Sequence, residues 1–185
     1  MAIIVIVGGP PNSGKSTFCE SLVQALKRLG VNAQAIDLDP YAPTLQYIRG
    51  EISADERNRL KRREIGNKEI QDAKERLEQA SKDYDFVIGD APGGISDDLK
   101  PVYQLASHAV ILCREDKQSD IDLWKEFFSG MELRIIAIII SRTSGRECLQ
   151  DTDPIKGILV GLNRIPVNTP AINSLAYILC RRFNL

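Results

Sequence analysis

Residues 8–17 read GGPPNSGKST and directly follow the aliphatic run 3–7, which is IIVIV. The pattern G-x-x-x-x-G-K-S/T begins at Gly9 and ends at Ser16, and a helix-forming stretch continues from Lys15 to residue 29. Glycines in such a loop let successive backbone N–H groups and the positive end of the following helix face phosphate oxygens. The stretch therefore predicts a phosphate-binding loop, the Walker A motif, between a buried strand and a helix.

This loop predicts the residues that would hold the phosphates of a nucleoside triphosphate. Lys15 would bring a positive charge to the outer phosphates, and the Ser16 hydroxyl would be a ligand of Mg²⁺. The predicted nucleotide-binding residues are Gly9, Pro11, Asn12, Ser13, Gly14, Lys15, Ser16 and Thr17. The alternative, a strand, loop and helix without a ligand, is disfavoured because the motif and its context agree.

Composition narrows the class of protein. The chain has 185 residues and a net charge of −1, so no overall field attracts nucleic acid or an anionic membrane. Its four cysteines are widely spaced and its one histidine is His108, which argues against a zinc site or a disulfide framework and for a reducing cytosol. The longest aliphatic run, 135–140, is too short to span a bilayer. We expect residues 1–185 to form a single domain.

Two aspartates stand where the second strand is predicted to end. The segment 31–38 predicts that strand, and Asp37 and Asp39 flank Leu38 just before Pro40. Alternation along a strand places both carboxylates on one side, and ligands of open parallel sheets bind beyond the carboxyl ends of the strands. We expect one aspartate to orient a nucleophile and the other to hold a magnesium-bound water. The alternative is a pair that caps the turn at Pro40.

A further buried strand ends in an acid. The apolar run 86–89 is followed by Asp90 and then by the segment 91–94, which reads APGG. This is the Walker B arrangement, in which a carboxylate beside the first strand reaches Mg²⁺ through water. We expect Asp90 to act in catalysis and, with Ser16, in metal binding. The segment 91–94 would approach the terminal phosphate.

The rest of the chain alternates strands with helices. Segment 41–51 is predicted to be a loop and 53–82 a long or broken helix; the other predicted elements are strands at 107–113 and 133–140 and helices at 121–128 and 171–182. The pattern predicts a doubly wound α/β fold with a mainly parallel sheet and helices on both faces. His108 begins a strand and is expected to be structural.

Two loops that follow later strands, 141–145 and 161–166, are where the base of a nucleotide would lie. No N-K-x-D sequence follows the strand at 135–140, so adenine is favoured over guanine.

The start of the charged segment is strongly basic. Arg57, Arg59, Lys61, Arg62 and Arg63 lie within seven positions, and acidic residues follow them. Interleaved charges favour a solvated helix face. The alternative is an arm that carries an arginine to a phosphate, or that contacts RNA or a partner protein.

These segments together resemble P-loop NTPases. VNAQAIDLDPYAPT, at 31–44, resembles the second-strand segment of the MinD and ParA type of ATPases and of polynucleotide kinases, both of which place a functional aspartate there. The chain has Pro10 near the position of the signature lysine of the MinD and ParA type. The resemblance therefore does not imply the ATP-sandwich dimer that this lysine supports.

A second resemblance covers the chain from residue 86 onward. The ordered segments FVIGDAPGGISDD, ASHAVILCRED, IIAIIISRTSG and GILVGLNR resemble the P-loop ATPase domain associated with CRISPR ring nucleases that act on cyclic oligoadenylate. This resemblance implies an ATPase that is accessory to such a nuclease.

Three functions fit these motifs. The first is an ATP- and Mg²⁺-dependent ATPase that switches the state of a protein partner or of a second copy, with Lys15, Asp37, Asp39 and Asp90 as its catalytic residues. The second is a kinase that passes the γ-phosphoryl group to a small-molecule or polynucleotide hydroxyl, although 114–131 holds only one arginine where nucleotide kinases carry several. The third is a nucleotide-dependent binding module with little turnover. No membrane partner is expected, and a nucleic-acid partner is left open.

Overall fold

A seven-stranded sheet forms the centre of the fold. The computed structural model describes residues 2–39, 43–61 and 66–185. Within them the strands are β1 (Ile3–Gly8), β2 (Ala33–Asp37), β3 (Phe86–Asp90), β4 (His108–Arg114), β5 (Arg134–Arg142), β6 (Cys148–Gln150) and β7 (Ile155–Val160). Their order in the sheet is β2-β3-β1-β4-β5-β7-β6. All neighbouring pairs are parallel except β6 and β7.

Helices cover both faces of this sheet. They are α1 (Lys15–Arg28), α2 (Thr44–Ile48), α3 (Ala54–Arg59), α4 (Asn67–Asp83), α5 (Lys100–Tyr103), α6 (Asp120–Ser129) and α7 (Pro170–Phe183). Val5 and Val7 join the apolar core under α1, α2 and α7, whereas Ile6 between them joins the core under α4, α5 and α6. Because side chains alternate along a strand, β1 supplies both cores. The predicted doubly wound α/β fold is confirmed.

The carboxyl ends of the first three strands meet at one edge of the sheet. β3 lies between β2 and β1, and Asp90 is in register with Asp37 on one side and Val7 on the other. The loop 8–14 leaves the end of β1 at this same edge. The topology thus gathers the predicted acidic residues beside the predicted phosphate-binding loop.

The prediction of a loop over 41–51 is wrong at Thr44–Ile48, where α2 forms. Leu45 is fully buried, and its backbone N–H donates to Oδ2 of Asp37 over 3.0 Å. Long-range contacts therefore stabilise this short helix, and flanking Pro43 and Gly50 conceal it in the sequence. Residues 40–42 lie outside the described part of the chain, so the predicted turn at Pro40 lies outside it too.

The charged segment 53–82 forms two helices, α3 and α4, as the prediction of a broken helix allowed. Ala73, Leu77 and Ala80 are the buried stripe of α4, at helical spacing. Of the basic cluster, Arg62 and Arg63 lie outside the described residues. Among those residues, no helix combines the length and apolar character needed to cross a bilayer.

Candidate functional site

The loop 8–14 turns tightly between β1 and α1. Gly9 has a φ of +151°, and a Cβ added there would lie 1.9 Å from the carbonyl oxygen of Leu112 in β4. Gly14 has a φ of +85° and directly precedes α1. Both backbone conformations favour glycine. The two glycines therefore allow the loop to pass close to β4 and to turn into the first residues of α1.

A cavity of about 440 Å³ lies at this edge of the sheet. Its lining brings together most of the predicted site residues, namely Pro11, Asn12, Ser13, Gly14, Lys15, Ser16, Thr17, Asp39 and Asp90. Gly9 and Asp37 are not part of the lining. Thr44, Ile48 and Arg57 from α2 and α3 line the cavity, as do Leu162, Asn163 and Arg164 after β7. The sequence predicts that the loop 161–166 lies near the base of a nucleotide, but no sequence pattern indicates that residues of α2 line the cavity.

Lys15 holds a buried positive charge at the floor of the loop. The residue is only 7% exposed, and Nζ donates to the carbonyl oxygens of Gly9 and Pro10, each over 3.0 Å. Desolvation lowers the pKa of Lys15, and the nearby Asp90 opposes that shift. The ammonium group is thus oriented by the backbone before any anion binds.

Two hydroxyl groups, that of Ser13 in the loop and that of Thr17 in α1, form hydrogen bonds within the protein. Ser13 donates to the carbonyl oxygen of Pro10. Oγ1 of Thr17 accepts from the backbone N–H of Arg164 over 3.0 Å, which ties the loop after β7 to α1. Both residues are buried. Their side chains therefore stabilise the fold through these hydrogen bonds as well as lining the cavity.

Asp90 is a buried carboxylate beside the start of α1. The Ser16 hydroxyl lies close enough to favour the ionised form of this group, whereas Oδ1 is buried with no hydrogen-bond partner among the described residues. Desolvation raises the pKa of Asp90 to about 8, with a further upward push from Asp37. A buried oxygen without a partner is costly. A cation held between Ser16 and Asp90 would satisfy this oxygen.

No cluster of three or more His, Cys, Asp or Glu side chains in the described ranges could hold a metal alone. Mg²⁺ takes oxygen ligands and commonly combines one or two protein groups with phosphates and water. The Ser16 hydroxyl and the Asp90 carboxylate fit that donor set.

Asp37 and Asp39 differ in what their carboxylates contact. Oδ1 of Asp37 accepts from the backbone N–H of Asp39, and Oδ2 from that of Leu45, each over 3.0 Å. Asp37 therefore closes the connection between β2 and α2, while burial raises its pKa to about 6. Asp39 lines the cavity. The two aspartates therefore differ: Asp37 accepts hydrogen bonds from the backbone, and Asp39 lines the cavity.

This division leads to a prediction for the two aspartates. Asp39→Asn is expected to lower nucleotide turnover about 100-fold or more, as loss of a general base does, while leaving nucleotide affinity within about threefold. Asp37→Asn keeps an acceptor for the backbone and should lower turnover much less. Single-turnover rates and nucleotide titrations of both variants test this. An equal loss of turnover in the two variants would contradict the assignment.

The segment 91–94 touches the phosphate-binding loop. A Cβ added to Gly93 would lie 2.6 Å from Cα of Pro11 and 3.0 Å from its nitrogen, whereas a Cβ on Gly94 would meet nothing within 4 Å. Ala91 and Gly93 both line the cavity. The two loops therefore cannot change position independently at Gly93.

Gly93→Ala is expected to lower triphosphate turnover about tenfold or more, because displacing a catalytic loop by about 1 Å can cost up to about 100-fold. Gly94→Ala is the matched control and should turn over at the wild-type rate. Rates of phosphate release and melting temperatures of both variants would be compared. Equal rates in the two variants would show that the contact with Pro11 has no role in turnover.

A second cavity, of about 550 Å³, adjoins the first and shares Asn12, Ser13, Leu162 and Asn163 with it. Ser141 and Thr143 also line it, so both loops predicted to lie near a base contribute to its wall. His108 lies at the opposite edge of the sheet, at the start of β4, with its ring 4.8 Å from that of Phe183. It contributes nothing to either cavity.

Known proteins share this architecture. A family model described as the CobQ/CobB/MinD/ParA nucleotide binding domain matches residues 4–160. This chain belongs to that family. The MinD- and ParA-type resemblance of the segment 31–44 agrees with this membership, and so does the arrangement of the loop 8–14 at the edge of a parallel sheet.

Solved structures of the CobQ/CobB/MinD/ParA type have the same fold. Cobyrinic acid a,c-diamide synthase from Mycobacterium smegmatis, with a bound ATP analogue and magnesium, superposes with a TM-score of 0.66 at 14% identity, covering 100% of this chain and 96% of that one. MinD from Pyrococcus horikoshii, complexed with Mg-ADP, has a TM-score of 0.58 at 19% identity, covering 76% and 70%.

Among curated relatives, GPN-loop GTPase 3 of Saccharomyces cerevisiae is 40% identical over 57 residues, which are 28% of this chain and 21% of that protein. The chain thus spans about a fifth of that relative's length. None of these similarities supports the narrower resemblance to ATPase domains associated with CRISPR ring nucleases, and that prediction is not retained.

Proposed function

We propose that this chain binds a nucleoside triphosphate with Mg²⁺ and hydrolyses it slowly, as a switch that changes the state of a protein partner or a second copy. The observation that carries this proposal is the juxtaposition of Lys15, Ser16 and Asp90 around one cavity, with Oδ1 of Asp90 buried and without a partner among the described residues. A buried cation and a buried acid that line one cavity suit the phosphates and the metal of such a ligand.

Each residue of the site would have a distinct role in hydrolysis. Ser16 and Asp90 would hold Mg²⁺, which when bound neutralises charge on the phosphate oxygens. Lys15 would bind the outer phosphates, and Asp39 would orient the attacking water and accept its proton. Phosphoryl transfer needs positioning and charge neutralisation more than covalent chemistry from the protein. This set of groups is suited to both.

The segment 91–94 supports the switch. Gly93 rests on Pro11, and two residues further on Ile95 is 45% exposed. Loss of the terminal phosphate would move Pro11 and Gly93, and this movement would shift Ile95 at the protein surface. A partner that contacts the surface near Ile95 would then respond to the state of the nucleotide.

The base is proposed to be adenine, since the guanine signature N-K-x-D is missing after β5 and the diamide synthase neighbour holds an ATP analogue. The name of the GPN-loop relative is that of a GTPase, which makes GTP the competing substrate. The second cavity beside 141–145 and 161–166 is the proposed place of the base.

One experiment tests the proposed function. The chain is incubated with Mg²⁺ and either ATP or GTP, and diphosphate, free phosphate and phosphorylated products are quantified together. Free phosphate that matches diphosphate, and that is lost in Lys15→Ala, is the expected result. Diphosphate without free phosphate would instead show a kinase. Tight binding without products would show a binding module.

A further inference from the structure

Helix α3 has no buried residue with which to pack against the rest of the protein. Its sequence is ADERNR, none of its six residues is buried, and the Ser53 side chain caps its first turn by accepting from the N–H of Glu56. Arg57 is the one residue of α3 that is not exposed. A helix without an apolar face gains little from hydrophobic burial. The contacts of Arg57 therefore position α3.

The guanidinium group of Arg57 is only partly satisfied by these contacts. Nη2 donates to Oγ1 of Thr44 over 3.0 Å, and Cζ lies 5.9 Å from the ring centre of Tyr47. Nε is buried and has no acceptor among the described residues. Within the same residues no carboxylate lies at ion-pair distance from Arg57. Among the described residues, this cationic group therefore has a buried donor and no anionic partner.

Arg57 faces the cavity that Lys15, Asp39 and Asp90 also line. Leaving a buried donor without an acceptor is costly, more so for a charged group. An anion in the cavity would satisfy Nε, and a guanidinium fork matches phosphate oxygens in two-point hydrogen bonds. Arg59 and Lys61, from the same basic cluster, are exposed instead.

We propose that Arg57 is a ligand of the terminal phosphoryl group of the bound nucleotide and that α3 supplies it from within the same chain. This inference rests on the proposed hydrolysis and names one more catalytic residue for it. Thr44 and Tyr47 position the side chain, and the phosphoryl group completes its hydrogen bonds.

Arg57 would act while the terminal phosphate is transferred to water. The water oxygen forms a bond to the γ-phosphorus as the bond from that phosphorus to the bridging oxygen breaks, and the electron pair of that bond stays on the diphosphate. One proton of the water passes to Asp39. The guanidinium offsets the negative charge that builds on the transferred group and on the bridging oxygen.

The test compares Arg57→Ala and Arg57→Lys with Arg59→Ala, an exposed residue of the same helix. Affinity for Mg²⁺-nucleoside diphosphate is measured with and without aluminium fluoride, which mimics the transferred phosphoryl group, and single-turnover rates are measured in parallel. Wild-type protein and Arg59→Ala should bind the diphosphate more tightly with aluminium fluoride. Arg57→Ala should keep diphosphate affinity within about threefold, lose that tightening and turn over about 1000-fold more slowly. Arg57→Lys should not restore the rate, because lysine lacks the fork.

Several results would overturn the inference. Turnover and tightening that survive in Arg57→Ala would remove the residue from the reaction. Loss of plain diphosphate affinity together with a lower melting temperature would show that Arg57 only secures α3. Wild-type protein without turnover would defeat the proposed hydrolysis itself, whereas wild-type turnover matched by Arg57→Ala would defeat only the role of Arg57.

Discussion

Replacing Lys15 by alanine is expected to weaken binding of a Mg²⁺-nucleoside triphosphate at least about 100-fold, since truncating one partner of a buried charge pair costs about 2–5 kcal/mol. The ammonium group is already desolvated and held by the carbonyl oxygens of Gly9 and Pro10. Little reorganisation is needed when a phosphate arrives, so most of the interaction is lost with the side chain. Titration with a fluorescent triphosphate and diphosphate measures the effect.

The matched control is Lys27→Ala, which removes an exposed lysine in the last turn of the same helix. Its nucleotide affinity and melting temperature should equal those of the wild type. The triphosphate should lose more affinity than the diphosphate in Lys15→Ala, because Lys15 is assigned to the outer phosphates. Unchanged affinity and turnover in Lys15→Ala would refute the assignment of the phosphate-binding loop.

Asp90→Asn is expected to act in opposite directions on function and stability. Magnesium-dependent turnover should fall about 10- to 100-fold, which is the usual cost of removing an outer-shell group of a metal site. The melting temperature of the nucleotide-free protein should rise by about 3–8 °C, which corresponds to about 1–2 kcal/mol in a chain of this size. The gain arises because asparagine, unlike Asp90, does not have to take up a proton or lose the hydration of a charge when the chain folds.

The rise in melting temperature should depend on pH. Burial raises the pKa of Asp90 to about 8, so the folded protein carries a proton that the unfolded chain releases at its ordinary value of 3.8. The stability due to this group is fully present below about pH 4 and is lost as pH rises through about 8. Asparagine does not titrate. The advantage of Asp90→Asn should therefore grow between about pH 4 and pH 8 when melting is followed in EDTA without nucleotide.

Asp85→Asn is the control for this experiment, because Asp85 is exposed and precedes the same strand at its other end. Its melting temperature and its response to EDTA should match those of the wild type. Asp90→Asn, in contrast, should be almost insensitive to magnesium removal. Equal losses of turnover for Asp90→Asn with and without magnesium would remove Asp90 from the metal site.

The sequence predicted the parts of the site that are encoded by local pattern. The strand, loop and helix at 3–28 and the strand that ends at Asp90 were predicted because aliphatic runs and glycine spacing are local signals. The parallel sheet then follows from the alternation of strands and helices. Helix α2 was missed because its stability comes from the burial of Leu45 and from the carboxylate of Asp37, eight positions earlier.

Other features depended on tertiary geometry. The edge strand β6 has three residues and pairs antiparallel with β7, and so short a segment has no periodicity to detect. Strand alternation places Asp37 and Asp39 on one side and does not distinguish them, whereas the fold gives the Asp37 carboxylate two backbone donors. Likewise, charge pattern alone could not show which arginine of the cluster turns inward.

Helix α3 limits how this part of the sequence can vary. Five of its six side chains are exposed, and only Arg57 faces inward. Surface positions away from special contacts tolerate most substitutions with changes of about 0.5 kcal/mol or less. Homologous chains can therefore diverge at 54, 55, 56, 58 and 59, provided that a cap is kept at 53. In an alignment of such chains, we expect positions 54–59 to vary widely except position 57, which stays arginine.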